Sequence, residues 1–188
     1  MVDGTLPSSP ASPTRVDAIA WDSWVPDDVA TLLFVRDGER VLLIHKRRGL
    51  GAGKINAPGG RLEPGETPLQ AAIREVEEEV CVTPLEPREH GTLSFQFVDG
   101  YKLHAHVFVA HAYVGVPAAT PEADPFFCAI AELPFERMWA DDALWLPHVL
   151  AGQTIQGRFV FDGDVMLDHE LLVSPSSNTA KSFAPSTA

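Results

Sequence analysis

An α+β domain on a mixed β-sheet, with helices packed on its faces, is the fold class that three observations predict. Short strands outnumber helices, Asp-Gly pairs join several strands as hairpins, and one segment carries a helical stripe of apolar residues. The chain has 188 residues, 45% of them hydrophobic and 21% charged, which suits one globular domain with a sizeable core.

Residues 1–27 contain Pro7, Pro10, Pro13 and Pro26 among small polar residues and read as a disordered or loosely held tail. Residues 174–188 read the same way, so the folded part is expected over 28–173. Ala30 to Val35 and Val41 to Ile44 flank Asp37-Gly38, a hairpin signal. A Gly-rich loop from Gly49 to Gly60 follows. Thr67 then caps a helix, with Pro68 at its first position and Gln70 completing a capping box. Leu69, Ala72, Ile73, Val76 and Val80 recur at helical spacing as one apolar stripe. Thr92 to Val98 and Leu103 to Val114 read as strands joined at Asp99-Gly100, and Phe126 to Ile130 as a further short strand. Ala143 to Leu150 reads as helical, although Pro147 argues against a long regular helix. Thr154 to Phe161 and Val165 to Val173 pair across Asp162-Gly163.

Composition narrows the function. No apolar run reaches the roughly 20 residues that cross a bilayer, and the first residues lack a basic region followed by an apolar one, so a cytoplasmic protein is expected. Cys81 and Cys128 fit no zinc spacing and make no disulfide framework; reduced thiols are the expectation. A net charge of −12 excludes tracking along nucleic acid. The one basic concentration, His45-Lys46-Arg47-Arg48 with Lys54 and Arg61, leads into the Gly-rich loop, where it can serve phosphate binding as well as a solvated surface.

The chemistry concentrates between Gly60 and Val82. Glu75, Glu78 and Glu79 share a helix face beside the apolar stripe, and Glu77 adds a fourth carboxylate. Like charges at this spacing repel, and they sit near a helix C-terminus where negative charge is unfavourable. A solvated acidic helix is the plain reading; hard divalent cations with oxygen ligands are the alternative that compensates the charge. The preceding Gly-rich basic loop and the adjacent Arg74 favour the second, with metal bridging carboxylates and substrate phosphates.

Gly60, five residues, Glu66, seven residues, Arg74-Glu75-Val76, one residue, Glu78-Glu79 and then Val82 resembles the Nudix box. Cys81 departs from the pattern, standing where that family usually has the Gly that closes the helix in a left-handed conformation. The resemblance implies an α/β/α sandwich, the Nudix fold, and Mg²⁺ (Mn²⁺ as a substitute) held by Glu75, Glu78, Glu79 and the Gly59 carbonyl. It also implies that Arg74 orients a carboxylate and that Glu66 is structural or near the metal. The reaction would be attack on phosphorus by a metal-activated water, with Glu78 or Glu79 as base. Asp124 falls where the family often has an acidic residue near the metal.

Over about Thr31 to Val173 the chain is also similar to the mammalian-type oxidised purine nucleoside triphosphatases of that family. The points of similarity are Lys46 to Lys54, Asn56, Phe95-Gln96-Phe97, Met138 to Asp142 and Trp145. That likeness implies hydrolysis of 8-oxo-dGTP and 2-hydroxy-dATP to monophosphate and pyrophosphate. Trp139 would stack on the base, and Phe95 or Phe97 would line the pocket. Asp141 and Asp142 would accept hydrogen bonds from ring N–H groups, with one able to donate if protonated. Asn56 would offer a donor and an acceptor, Lys46 would meet substrate, and Thr31 and Leu32 would form the floor. Taken singly, Asp141 reads as a helix cap, Trp139 as core and Asn56 as a loop residue; their joint match carries the pocket. Leu50 and Ala140 replace a Phe and a Pro of that pattern, which bears on the preferred base.

Alternatives are a Nudix diphosphatase for ADP-ribose, diadenosine polyphosphates or a pterin triphosphate, an isopentenyl diphosphate isomerase, and a non-catalytic nucleotide-binding regulator. The isomerase would use a pocket cysteine. His104 and His106 alternate on a strand as a surface or pocket-edge pair, and a zinc reading has no evident third ligand. The expected partner is a small nucleotide, with no nucleic acid and no membrane; the oligomeric state is open, a monomer slightly favoured.

Overall fold

The structure, a computed structural model, describes residues 13–175. In chain order the elements are β1 (Asp28–Asp37), β2 (Arg40–Lys46), β3 (Ile55–Asn56), α1 (Pro68–Val80), β4 (Val82–Leu85), β5 (Arg88–Phe97), β6 (Lys102–Ala110), β7 (Ala112–Gly115), β8 (Ala123–Ala129), α2 (Asp142–Leu150), β9 (Thr154–Asp162) and β10 (Val165–Ser174). The main sheet runs β10-β9-β5-β6-β1-β2-β3, with β8 also paired to β2. It is mixed: β1 with β6 and β5 with β9 are parallel, and the other pairs are antiparallel.

Two cores lie on opposite faces of this sheet. Alternation along β1 sends Leu33 and Val35 to the α1 side and Phe34 to the α2 side. Leu42 and Ile44 join the first, where Ala72, Val76 and Val80 of α1 cover them; Val41 and Leu43 join the second, under Trp145, Leu146 and Val149 of α2. The architecture is an α/β/α sandwich.

The sheet parts in the middle. β1 pairs with β2 only over Val35 to Asp37. Beyond that the chain after β3 slots in beside β1 instead: Leu33 N–H donates to Pro58 O, Thr31 N–H to Gly60 O, and Leu62 N–H to Val29 O. This inserted segment opens a cavity joining the two faces.

Two expectations need correction. Within the described residues, 13–27 are not a loose tail. Val16 is buried and its N–H donates to Asp168, Trp21 Nε1 donates to Val16 O, and Trp24 Nε1 donates to Gln96 Oε1. The prolines suggest disorder, but the two indoles anchor the segment to the sheet. The tail expected at the C-terminus lies, from residue 176 on, outside the described residues. Leu103 to Val114 is not one strand: it breaks at His111, and β7 turns away to pair with β4 in a separate two-stranded sheet. β4 itself was not anticipated; its Pro84, which has no N–H to donate, is tolerated in this small two-stranded sheet.

Candidate active site

The helix that carries the carboxylates is set at both ends. Thr67 and Gln70 form the reciprocal capping box, and Cys81 closes the helix at φ 62°, ψ 28°, its N–H donating to Glu77 O. Cys81 thus adopts the left-handed conformation that Gly would take without a side-chain cost. With Val76 and Val80 packed on the sheet, Glu75 and Glu79 are directed at the Gly59-Gly60 corner.

Glu79 is only 3% exposed. Its Oε2 accepts from Gly59 N–H at 2.9 Å and its Oε1 from Lys46 Nζ at 3.0 Å; the same ammonium donates to Gly59 O at 3.1 Å. The corner has no room for side chains: a Cβ at Gly59 would meet Thr31 O at 2.0 Å, and one at Gly60 would meet the Glu75 carboxylate at 2.5 Å.

Arg74 binds the remaining carboxylates. Its Nε and Nη2 grip Glu66 at 2.7 and 2.9 Å, its Nη1 reaches Glu75 at 2.9 Å and Glu78 at 3.0 Å, and Nη2 also donates to Arg61 O. Bidentate pairing of this kind is strong and directional. The Arg74 hydrogen bonds, with one from Glu63 N–H, bring the Glu66 carboxyl down to about 2. Burial pushes Glu75 the other way, against the pull of Arg74.

Two residues expected at or near the metal are not part of the cavity lining. Glu78 does not line the cavity; its side chain is 60% exposed and leans on Arg74. Asp124 does not line it either. It pairs in register with His45 on β8, and its carboxylate lies 3.7 Å from Arg47. The neighbouring Ala123 faces the α1 core, so strand alternation puts Asp124 on the wrong side of the sheet. Glu122, which sequence reasoning did not single out, lines the cavity. Among the described residues, no three His, Cys, Asp or Glu side chains form a metal cage. The oxygen donors grouped at the glycine corner are the Glu75 and Glu79 carboxylates and the Gly59 carbonyl. That set fits a hard cation such as Mg²⁺, which keeps several waters and needs few protein ligands.

The cavity, about 500 Å³, continues from this corner to the N-terminus of α2. Thr31, Lys46, Asn56, Phe95, Phe97, Trp139, Asp141 and Asp142 all line it, together with Leu50. Asp141 does not cap the helix. Its Oδ2 accepts from the buried Trp145 Nε1 at 2.8 Å, while Asp142 Oδ2 accepts from Trp139 N–H at 3.0 Å. Both aspartates are nearly inaccessible, at 2% and 3%. Burial pushes Asp141 up to about 6, and burial together with the Asp141 charge pushes Asp142 well up. Asp141 Oδ1 and Thr31 Oγ1 are buried with no protein partner. Such orphans cost about 1–3 kcal/mol each unless a ligand or water completes them.

Trp139 is held edge-on to Phe161, with centroids 5.6 Å apart, and Lys54 Nζ stands 4.8 Å above its ring. Asn56 Oδ1 accepts from Ala57 N–H. Phe161 and Tyr101 are cavity residues that sequence reasoning missed. Phe161 comes into place through the parallel β5-β9 pairing, opposite Phe97. Tyr101 donates to Asp28 and accepts from Arg61. Neither Cys81 nor Cys128 lines the cavity, which removes the cysteine that isomerase chemistry would require. His104 and His106 lie outside it, bonded to Ser94 and Glu89.

The sequence profile of the NUDIX domain matches residues 26–149. An oxidized purine nucleoside triphosphate hydrolase of Danio rerio is 43% identical over 143 residues, covering 75% of this chain and 92% of that protein. The Mus musculus protein of the same name is 36% identical over an equal span with equal coverage. Among solved structures, a MutT protein from Bacillus halodurans superposes with a TM-score of 0.69 at 29% identity, covering 77% of this chain and 97% of that one. With the glutamate helix, the glycine corner and the sandwich in place, this chain belongs to the NUDIX domain family.

Proposed function

We propose that this protein hydrolyses oxidised purine nucleoside triphosphates, 8-oxo-dGTP and 2-hydroxy-dATP among them, to monophosphate and pyrophosphate, and so cleanses the nucleotide pool. The observation that carries this reading is one cavity with a carboxylate corner at one end and Trp139 beside a buried aspartate pair at the other. The names of the Danio rerio and Mus musculus relatives support it.

Glu75, Glu79 and the Gly59 carbonyl would hold Mg²⁺, or Mn²⁺ in its place, with Glu78 joining from the rim. The metal supplies Lewis-acid stabilisation of phosphate charge and lowers the pKa of a bound water. Arg74 fixes the rotamers of Glu75 and Glu78, and Glu66 fixes Arg74. Glu78 and Glu79 remain the proton-acceptor candidates. Both oxygens of Glu79 are engaged, whereas Glu78 is tied to Arg74 through one oxygen only.

At the other end Trp139 offers a flat face and Phe95, Phe97 and Phe161 an apolar wall. Asp141 Oδ1 and the Thr31 hydroxyl, buried beside the cavity without a protein partner, would meet the purine edge. Burial raises both aspartates, Asp141 to about 6, and so favours a protonated carboxyl in the pair, one that can donate while the other accepts. Bases whose N–H and carbonyl positions differ could then share one pocket.

The test is kcat/KM with Mg²⁺ for 8-oxo-dGTP, 2-hydroxy-dATP, dGTP, dATP and ADP-ribose, with products identified. The expected result is a preference of about tenfold or more for an oxidised purine triphosphate, releasing pyrophosphate. Activity on ADP-ribose alone, or on all triphosphates equally, would discard the base pocket described here.

A further inference from the structure

The ammonium of Lys46 occupies a particular position. It bonds both Glu79 Oε1 and Gly59 O, two of the oxygens that would serve a divalent cation. The contact is largely out of solvent, with the Lys46 and Glu79 side chains 15% and 4% exposed. An unpaired carboxylate that deep is costly, so Lys46 answers a need that Glu79 has in the absence of any other cation. The backbone of Lys46 is fixed on both sides, its N–H donating to Lys54 O and its carbonyl accepting from Gly53 N–H. Only the side chain is free to move.

We propose that Lys46 is an internal counter-ion that competes with the divalent metal for Glu79 and Gly59, and that metal loading releases it toward the phosphates of the substrate. The proposal rests on the metal assignment given above. Of the other cavity cations, Arg74 is committed to Glu66, Glu75 and Glu78, Arg61 to Asp28 and Tyr101, and Arg48, exposed, stands 3.9 Å from Glu122; Lys46 is the one bonded to the glycine corner itself. A released Lys46 adds positive charge next to the corner once a metal has taken over its carboxylate. Metal and substrate phosphates are thereby coupled, because the cation displaced by the first becomes a partner of the second. A lysine that only bound substrate would need no contact with Glu79, and removing it would not strengthen metal binding.

The test is direct Mn²⁺ titration by calorimetry, without nucleotide, of the wild-type chain, Lys46→Gln and Glu79→Gln. Lys46→Gln should bind Mn²⁺ about tenfold more tightly than wild type, within the usual range of such couplings. With EDTA present it should melt below wild type, and saturating Mn²⁺ should close that gap. Equal or weaker Mn²⁺ binding by Lys46→Gln would overturn the proposal. If the variant does not fold, the unaltered protein gives the answer: acetylation of Lys46 by a water-soluble acyl ester, followed by mass spectrometry, should rise when Mg²⁺ is added. Unchanged labelling would overturn it. If wild type binds no Mn²⁺, or Glu79→Gln binds it equally well, the metal assignment itself falls.

Discussion

At the α1 end of the cavity charged groups answer one another: Glu79 with Lys46 and Gly59 N–H, and Glu66, Glu75 and Glu78 with Arg74. At the α2 end two buried polar atoms, Asp141 Oδ1 and Thr31 Oγ1, have no partner. The first end is a network that holds its geometry without a ligand, as electrostatic stabilisation of a transition state requires. Under the function proposed above, the second would be completed by what docks there, and a wrong ligand would leave the orphans unpaired. Under the proposed function, turnover belongs to one end and choice of base to the other.

The largest expected effect is at the charged end. Glu79→Gln should lower turnover by at least about 100-fold with the fold retained, because a lost anionic ligand removes transition-state stabilisation. Steady-state kinetics with circular dichroism as a fold check would read this, and a folded variant with near-normal turnover would break the division. Trp139→Ala should next reduce kcat/KM for the preferred nucleotide about tenfold or more, mainly through KM, since a stacked aromatic contributes about 1–3 kcal/mol. Equal losses on every nucleotide would show that Trp139 supports the fold and not the base.

Asp141 and Glu66 should also titrate in opposite directions. Asp141 is raised from 3.8 to about 6 in the folded chain, so folding favours its protonated form. Its contribution is full below about pH 4 and is lost as pH rises through about 6. Glu66 is lowered from 4.5 to about 2, so its contribution holds above about pH 4.5 and is lost as pH falls toward 2. Melting curves of Asp141→Asn and Glu66→Gln across pH 2 to 8 should each lack one of these slopes. Asp141→Asn should also remove any change in base preference near pH 6. The smallest effect concerns Cys81. A Gly relieves the left-handed strain of about 1–2 kcal/mol but adds unfolded-chain entropy, so Cys81→Gly should gain about 1 kcal/mol. That corresponds to about 2–4 °C in melting temperature, with activity unchanged.

The charged end was the more legible in sequence, and the reason is local. Glu66, Arg74, Glu75 and Glu79 lie on one loop and helix, where spacing alone decides what meets what. The cap at Thr67 and the left-handed Cys81 follow from the same short-range rules. The place of Asp124 outside the cavity lining was not legible, because its side of the sheet depends on the β2-β8 register, which no local pattern encodes. Phe161 was missed because it reaches the cavity only once β9 lies beside β5. The proposed base-reading residues of the α2 segment came through resemblance, since Trp139 and the two aspartates taken singly have ordinary structural readings. The N-terminal anchor escaped because prolines outweighed Trp21 and Trp24 in a compositional reading.

The crowding at Gly59 has a consequence for variation in this chain. Its N–H fixes Glu79, its carbonyl faces Lys46, and a β-carbon there would collide with the Thr31 carbonyl. Under the proposed function, an amino-acid change at Glu79 would leave a folded protein that is catalytically silent. A change at Gly59 offers no such separation, because the strand insertion and the carboxylate corner are lost together. In a population of variants the two positions would score alike for activity, yet only the second would deplete the amount of folded protein.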